Sequence, residues 1–294
     1  MKLKINNDFP VGNAAGWCKT IEEVEKLSRS TAQVILVGSF TIEPRSGNSG
    51  TVFNNRDLNS LGLPNGGRPY LKEHGKKMVE IAHSAGKLIF LSVAGFSVVE
   101  YAELTAIAMD TGFDGVEENL GCPNIMKGKK RKPIISFDVR LTEEILKRTT
   151  HHVRRSGRYF TVKVSPYSNP LMIRNFAKLF IDYEVNAIVT QNTFPNGLLF
   201  NSDGTPQIDV PNGWAGLAGP SVKAMSLGQV SQWRQALDEH GGDDIQVWRV
   251  GGVSCGRDIH ETHLAGGSFT QVGTAYFVGG PKVFSEIADQ YVNL

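Results

Sequence analysis

Short apolar runs rich in β-branched residues alternate along this chain with longer stretches whose apolar positions recur every three or four residues. The short runs, at residues 10–15, 33–38, 88–94, 115–120, 160–164, 187–191, 245–250 and 270–272, predict buried strands. The longer stretches, at residues 21–28, 70–85, 98–110, 142–155, 170–183, 222–239, 257–264 and 281–291, predict amphipathic helices. Helix ends carry their own signals. Thr20 with Glu23 forms a capping-box pattern, and in Leu141–Arg148 (LTEEILKR) acids precede bases, as the helix dipole favours. Strand followed by helix, eight times over, is the sequence form of an α/β fold of the (β/α)8 TIM barrel type. An open doubly wound sheet would need a GxGxxG turn after the first strand, and Asn13–Trp17 (NAAGW) is not one. Two long connections, residues 41–68 and 194–220, follow the second and sixth strands and so fall on the catalytic face of a barrel. No linker, repeat or low-complexity segment interrupts the pattern, so residues 1–294 are expected to form one domain.

Charge and composition narrow the class. Lys plus Arg is 31 and Asp plus Glu is 29, a net charge of +2, which argues against nucleic acid or an anionic membrane as partner. Hydrophobic residues at 40% and charged residues at 20% fit a globular chain. Cys18, Cys122 and Cys255 are far apart, so neither a disulfide framework nor a metal site is expected. With no apolar leader in MKLKINNDFP and no window of 18 apolar residues, a soluble cytoplasmic protein is expected.

The strand ends hold the candidate chemistry. Asn13, Ser39, Asn119, Lys163, Asn192, Gly251–Gly252 and Gly273–Thr274 would converge on one pocket, and such groups suit a planar, amide-rich ligand better than a metal. Glycines after strands 7 and 8, in Trp248–Gly252 (WRVGG) and Gln271–Ala275 (QVGTA), would expose N–H groups to a phosphate. Cys122, within Asn119–Asn124 (NLGCPN), follows a strand and opens a loop, and a thiolate there can act as a general base. No histidine stands near it in sequence, so a papain-like pair is unsupported.

In family order, NAAG, TIEPRSGN, NSLGLPN, NLGCPN, VKVSPY, QNTFPNG, GLAGPSVK, GGV and QVGTA resemble class 1 of the dihydroorotate dehydrogenase family, from Asn13 to about Gly280. The resemblance implies an FMN-binding (β/α)8 barrel that oxidises (S)-dihydroorotate to orotate in pyrimidine biosynthesis. It implies Cys122 as the base and Lys163 as the cation that stabilises reduced flavin. It places Ala14, Ala15, Gly16, Ser39, Asn119, Lys163, Gly219, Gly251, Gly252, Gly273 and Thr274 on FMN. It places Asn59, Leu61, Gly62, Leu63, Asn119, Asn124, Asn192 and Thr193 on the substrate. Class 1 members use fumarate, or a partner subunit with an iron–sulfur cluster and FAD, as electron acceptor; GLAGPSVK and VAGFSVVEY are closer to the partner-using branch. Homo-oligomers are also expected from the resemblance.

Three departures stand out. The family lysine near the end of strand 2 is replaced by Gly38, Glu118 stands where an apolar residue is usual, and the loop after Cys122 is basic (Lys127, Lys129, Lys130, Arg131, Lys132). Gly38 motivates a second reading, a divergent flavin ene-reductase or dehydrogenase acting on another amide-like or unsaturated compound. A cation of the basic loop could instead replace the missing lysine. A non-catalytic FMN-binding scaffold is a third reading, against which Cys122 and Lys163 both stand.

Overall fold

A closed barrel of eight parallel strands forms the centre of the computed structural model, which describes residues 9–127 and 130–294. Lys129 of the basic loop and most of MKLKINNDFP lie outside the described residues. The strands are β1 (Val11–Asn13), β2 (Val34–Phe40), β3 (Leu88–Val93), β4 (Gly115–Asn119), β5 (Tyr159–Lys163), β6 (Ala187–Val189), β7 (Gln246–Val250) and β8 (Phe269–Val272). Each pairs with its sequence neighbour, and β1 closes on β8 with Val11 opposite Thr270. All eight fall within or beside the apolar runs, as expected of strands buried on both faces.

Outside the barrel run α1 (Ile21–Ser28), α2 (Gly67–Ser84), α3 (Val98–Thr111), α4 (Val139–Ser156), α5 (Pro170–Asp182), α6 (Lys223–Asp238), α7 (Gly256–Leu264), α8 (Thr274–Gly279) and α9 (Lys282–Val292). The Thr20–Glu23 capping box is present and sets the start of α1. Helix α4 begins three residues before its apolar periodicity does, because the Asp138 carboxylate accepts the Leu141 N–H at 3.0 Å. Helix α8 was not anticipated: its six residues are too few to show a period. No helix among the described residues is long and apolar enough to cross a membrane.

The barrel interior is apolar where the strands enter and polar where they leave. Val34, Leu36, Phe90, Ala187, Val189, Trp248 and Phe269 fill the entry end, with the Trp248 and Phe269 rings 4.6 Å apart. A second, larger apolar layer joins barrel to helices through residues such as Phe113, Phe160, Phe176 and Trp233. The two long connections, read from sequence as separate loops, meet in one antiparallel sheet of Phe194–Gly197, Ala215–Leu217 and Leu58–Asn59. Asp57 ties them further, its carboxylate accepting the Ser221 hydroxyl at 2.7 Å. The segment after Cys122 folds as a short hairpin, Met126–Lys127 against Lys130–Arg131.

Candidate active site

A cavity of about 330 Å³ opens where the strands end. Its walls come from the loop after β1, the end of β2, the sheet built by the two long connections, and the ends of β4 to β8. Every residue singled out above for catalysis, cofactor or substrate lines it: Ala14, Ala15, Gly16, Ser39, Asn59, Leu61, Gly62, Leu63, Asn119, Cys122, Asn124, Lys163, Asn192, Thr193, Gly219, Gly251, Gly252, Gly273 and Thr274. One strand-end expectation, Asn13, needs correction, and the departure at Gly38 takes its meaning from the backbone. Asn13 does not line the cavity, because its amide is engaged by β2: Nδ2 donates to the Leu36 carbonyl at 2.7 Å, and Oδ1 accepts the Leu36 N–H at 2.8 Å. Gly38 does not line it either. Its carbonyl accepts the Gly16 N–H at 2.6 Å, and its own N–H donates to the Cys18 carbonyl at 2.7 Å. With φ at +117°, a side chain here would also collide with the Ser92 carbonyl. Position 38 is thus a backbone clamp and leaves no empty slot for a lysine.

A relay of hydrogen bonds fixes the polar floor. The Ser39 and Ser92 hydroxyls are 2.8 Å apart, Asn119 Nδ2 donates to Ser39 Oγ at 2.9 Å, and Asn192 Nδ2 donates to Asn119 Oδ1 at 3.0 Å. Beneath it, Lys163 Nζ donates to Gln271 Oε1 at 3.0 Å and stands 3.7 Å from Glu117 Oε1. Gln271 Nε2 donates to Glu117 Oε2 at 2.6 Å, closing the triad. On the opposite wall Asn124 Nδ2 donates to the Asn59 carbonyl at 2.8 Å. Among the described residues Asn124 Oδ1 and Thr193 Oγ1 are buried there without a partner, as is Gln191 Oε1, whose amide lies beside Gly251, so the cavity carries polar groups that a ligand would satisfy.

Cys122 is half-buried, and burial pushes its thiol above the ordinary range. An N–H from Asn124 and the charges of Lys132, Lys163 and Lys19 pull the other way. Lys132 acts from behind: its ammonium donates to the Gly95 carbonyl and sits 5.1 Å from the Phe96 ring, and burial holds it down at about 8. Neither Lys130, Arg131 nor Lys132 lines the cavity, so the expectation that a cation of this loop enters it fails for these three. Arg131 turns instead to the Trp214 carbonyl and ring.

At the far end, Gly251 and Gly252 take positive φ, 107° and 70°, after β7. A Cβ on Gly273 would touch only the Ala14 Cβ, at 3.4 Å, so the space beside it is open. Sequence reasoning missed Lys19, Trp17, Arg56 and Gln191, which also line the cavity. Lys19 had a readable signal, a charge in the loop at the exit of β1, but the adjoining capping box masked it.

A family model described as dihydroorotate dehydrogenase matches residues 2–294. Dihydroorotate dehydrogenase A (fumarate) of Lactococcus lactis subsp. cremoris (strain MG1363) is 30% identical over 285 residues, covering 95% of this chain and 88% of that protein. The protein of the same name from Lactococcus lactis subsp. lactis (strain IL1403) is 31% identical over 286 residues, covering 95% and 88%. Among solved structures, that of the Eimeria tenella enzyme in complex with ferulenol superposes with a TM-score of 0.74 at 19% identity, covering 97% of this chain and 80% of that one, which supports the fold. The chain belongs to the dihydroorotate dehydrogenase family, oxidoreductases that act on a CH–CH bond.

Proposed function

We propose that the chain is an FMN-dependent dihydroorotate dehydrogenase of class 1, with residues 1–294 as one FMN-binding domain and Cys122 as its base. The observation that carries this reading is one cavity with an open glycine-lined end and, at the other, a thiol among buried amides and hydroxyls that lack partners. Gly251, Gly252, Gly273 and Thr274 would hold the phosphate, with Ala14, Ala15, Gly16, Ser39, Asn119, Lys163 and Gly219 along the rest of the cofactor. FMN, when bound, supplies the hydride acceptor. Asn59, Leu61–Leu63, Asn119, Asn124, Asn192 and Thr193 would orient the pyrimidine ring through the acceptors and donors of their amides and backbone. Cys122 Sγ would take the proton from C5, and the relay through Ser39, Asn119 and Asn192 holds the ring's floor rigid. Lys163, anchored by Gln271, offers a fixed cation beneath the cavity.

Fumarate is the electron acceptor we propose, supported by the names of the curated relatives rather than by the partner-subunit branch. A homo-oligomer remains the expectation for the assembled enzyme. The ene-reductase reading rested on Gly38, and that support weakens because Gly38 is a clamp outside the cavity.

The test is anaerobic mixing of the yellow protein with dihydroorotate. The wild-type flavin band should bleach, faster as pH rises, since the raised thiol must ionise to act. Cys122→Ala should keep its FMN and lose about 10²–10⁴-fold in the bleaching rate. Wild-type bleaching rates in Cys122→Ala would remove the base assignment, and a wild type that never bleaches would remove dihydroorotate.

A further inference from the structure

We propose that Lys19 supplies the ammonium that receives the substrate's carboxylate, an assignment that rests on the dihydroorotate reading above. Among the described residues no aspartate or glutamate lines the cavity, whereas three cations do: Lys19, Arg56 and Lys163. The cavity is therefore built for anions. Two of the three cations are already engaged. Lys163 is held by Gln271 at 3.0 Å and stands 3.7 Å from Glu117. Arg56 lies at the rim with its side chain 80% exposed, 3.7 Å from Asp57.

Lys19 differs from both. Glu23 is the carboxylate whose charge acts on it. That carboxylate is spent on backbone, accepting the N–H groups of Lys19 at 2.5 Å and Thr20 at 3.0 Å. The backbone that carries Lys19 is fixed on both sides. Cys18 pairs with Gly38 just before it, and the cap of α1 follows. The backbone therefore needs no rearrangement to present this side chain to an anion. Cys122 lines the same cavity, and the charges of Lys19 and Cys122 act on one another within it. Burial holds Lys19 down at about 8, so its charge is poorly compensated until an anion arrives.

Orotate, the product, shares the carboxylate and can be titrated into the FMN-loaded protein while the flavin spectrum is followed. Lys19→Met should retain its FMN and its melting temperature yet bind orotate about 10- to 100-fold more weakly. Lys19→Arg should recover most of the affinity. Should Lys19→Met not fold, Lys19→Gln carries the same expectation. Equal affinity in wild type and Lys19→Met overturns the assignment and leaves the dihydroorotate reading intact. Loss of FMN from Lys19→Met places the cation against the cofactor phosphate and overturns it too. A wild type that binds no orotate overturns the dihydroorotate reading, and this assignment with it.

Discussion

Replacing Glu118 by glutamine should make the protein less sensitive to alkali. Glu118 lies on β4 with no exposed surface, facing Thr105 of α3. Thr105 donates its hydroxyl to Oε1 at 3.2 Å, while Oε2 has no partner among the described residues. Burial therefore raises the carboxyl from 4.5 to about 8, and the folded protein keeps it protonated at neutral pH. The sign follows from linkage. Because the folded state holds this proton more tightly than the unfolded chain, the stability it contributes is complete below pH 4.5 and is lost as pH rises through about 8. A separation of this size corresponds to about 2–5 kcal/mol, the lower figure allowing for local relaxation and water entry. Glutamine keeps the shape of the protonated acid but has no proton to lose. Urea unfolding of wild type and Glu118→Gln between pH 5 and 9 should give curves that meet in acid and diverge in alkali, with the variant more stable by that amount at pH 9. Comparing the two proteins cancels the titrating groups that do not feel Glu118, and Tyr101, which does, is pushed by burial well above this pH range in the folded protein. Parallel curves across the range would refute a neutral, buried Glu118.

Two further substitutions test the reading of the glycines. Gly38→Lys should lose about 2–4 kcal/mol of stability, seen as a lower melting temperature, because the side chain meets the Ser92 carbonyl at a positive φ; tighter orotate binding by a well-folded Gly38→Lys would contradict the clamp. Gly273→Val should melt within a few degrees of wild type but purify largely without FMN, since its branches enter open cavity rather than packed protein. A yellow, fully loaded Gly273→Val would put the phosphate elsewhere.

Much of this was legible because barrel geometry turns order along the chain into position around a pocket. Strands buried on both faces announce themselves as apolar runs, and whatever follows each run lands on one face of the molecule. That is why Asn119, Lys163, Gly251 and Gly273, scattered in sequence, line one cavity. Contacts between distant segments stayed hidden. Leu58–Asn59 and Ala215–Leu217 are too short to read as strands, and they become strands only by pairing with each other. Gly38 shows the opposite limit. The sequence reveals which side chain is missing, but only the positive φ and the Ser92 carbonyl against position 38 explain why none can be there.

The two acids before Asn119 show how one strand can serve a cavity built for anions without spoiling it. Side chains alternate across a strand, so Glu117 and Asn119 share the inner face of β4 while Glu118 takes the outer one. Glu117 meets Lys163 and Gln271 beneath the cavity, so its charge is spent inside the barrel before a ligand arrives. Glu118, turned away toward Thr105, sheds its charge by keeping a proton. A one-residue slip of β4 would carry Glu118 to the inner face, with no second lysine to meet it, and would turn Asn119 away from Ser39 and Asn192. The register that builds the floor of the site is thus the same register that keeps carboxylates out of its walls, which leaves Lys19 facing the cavity with its charge available.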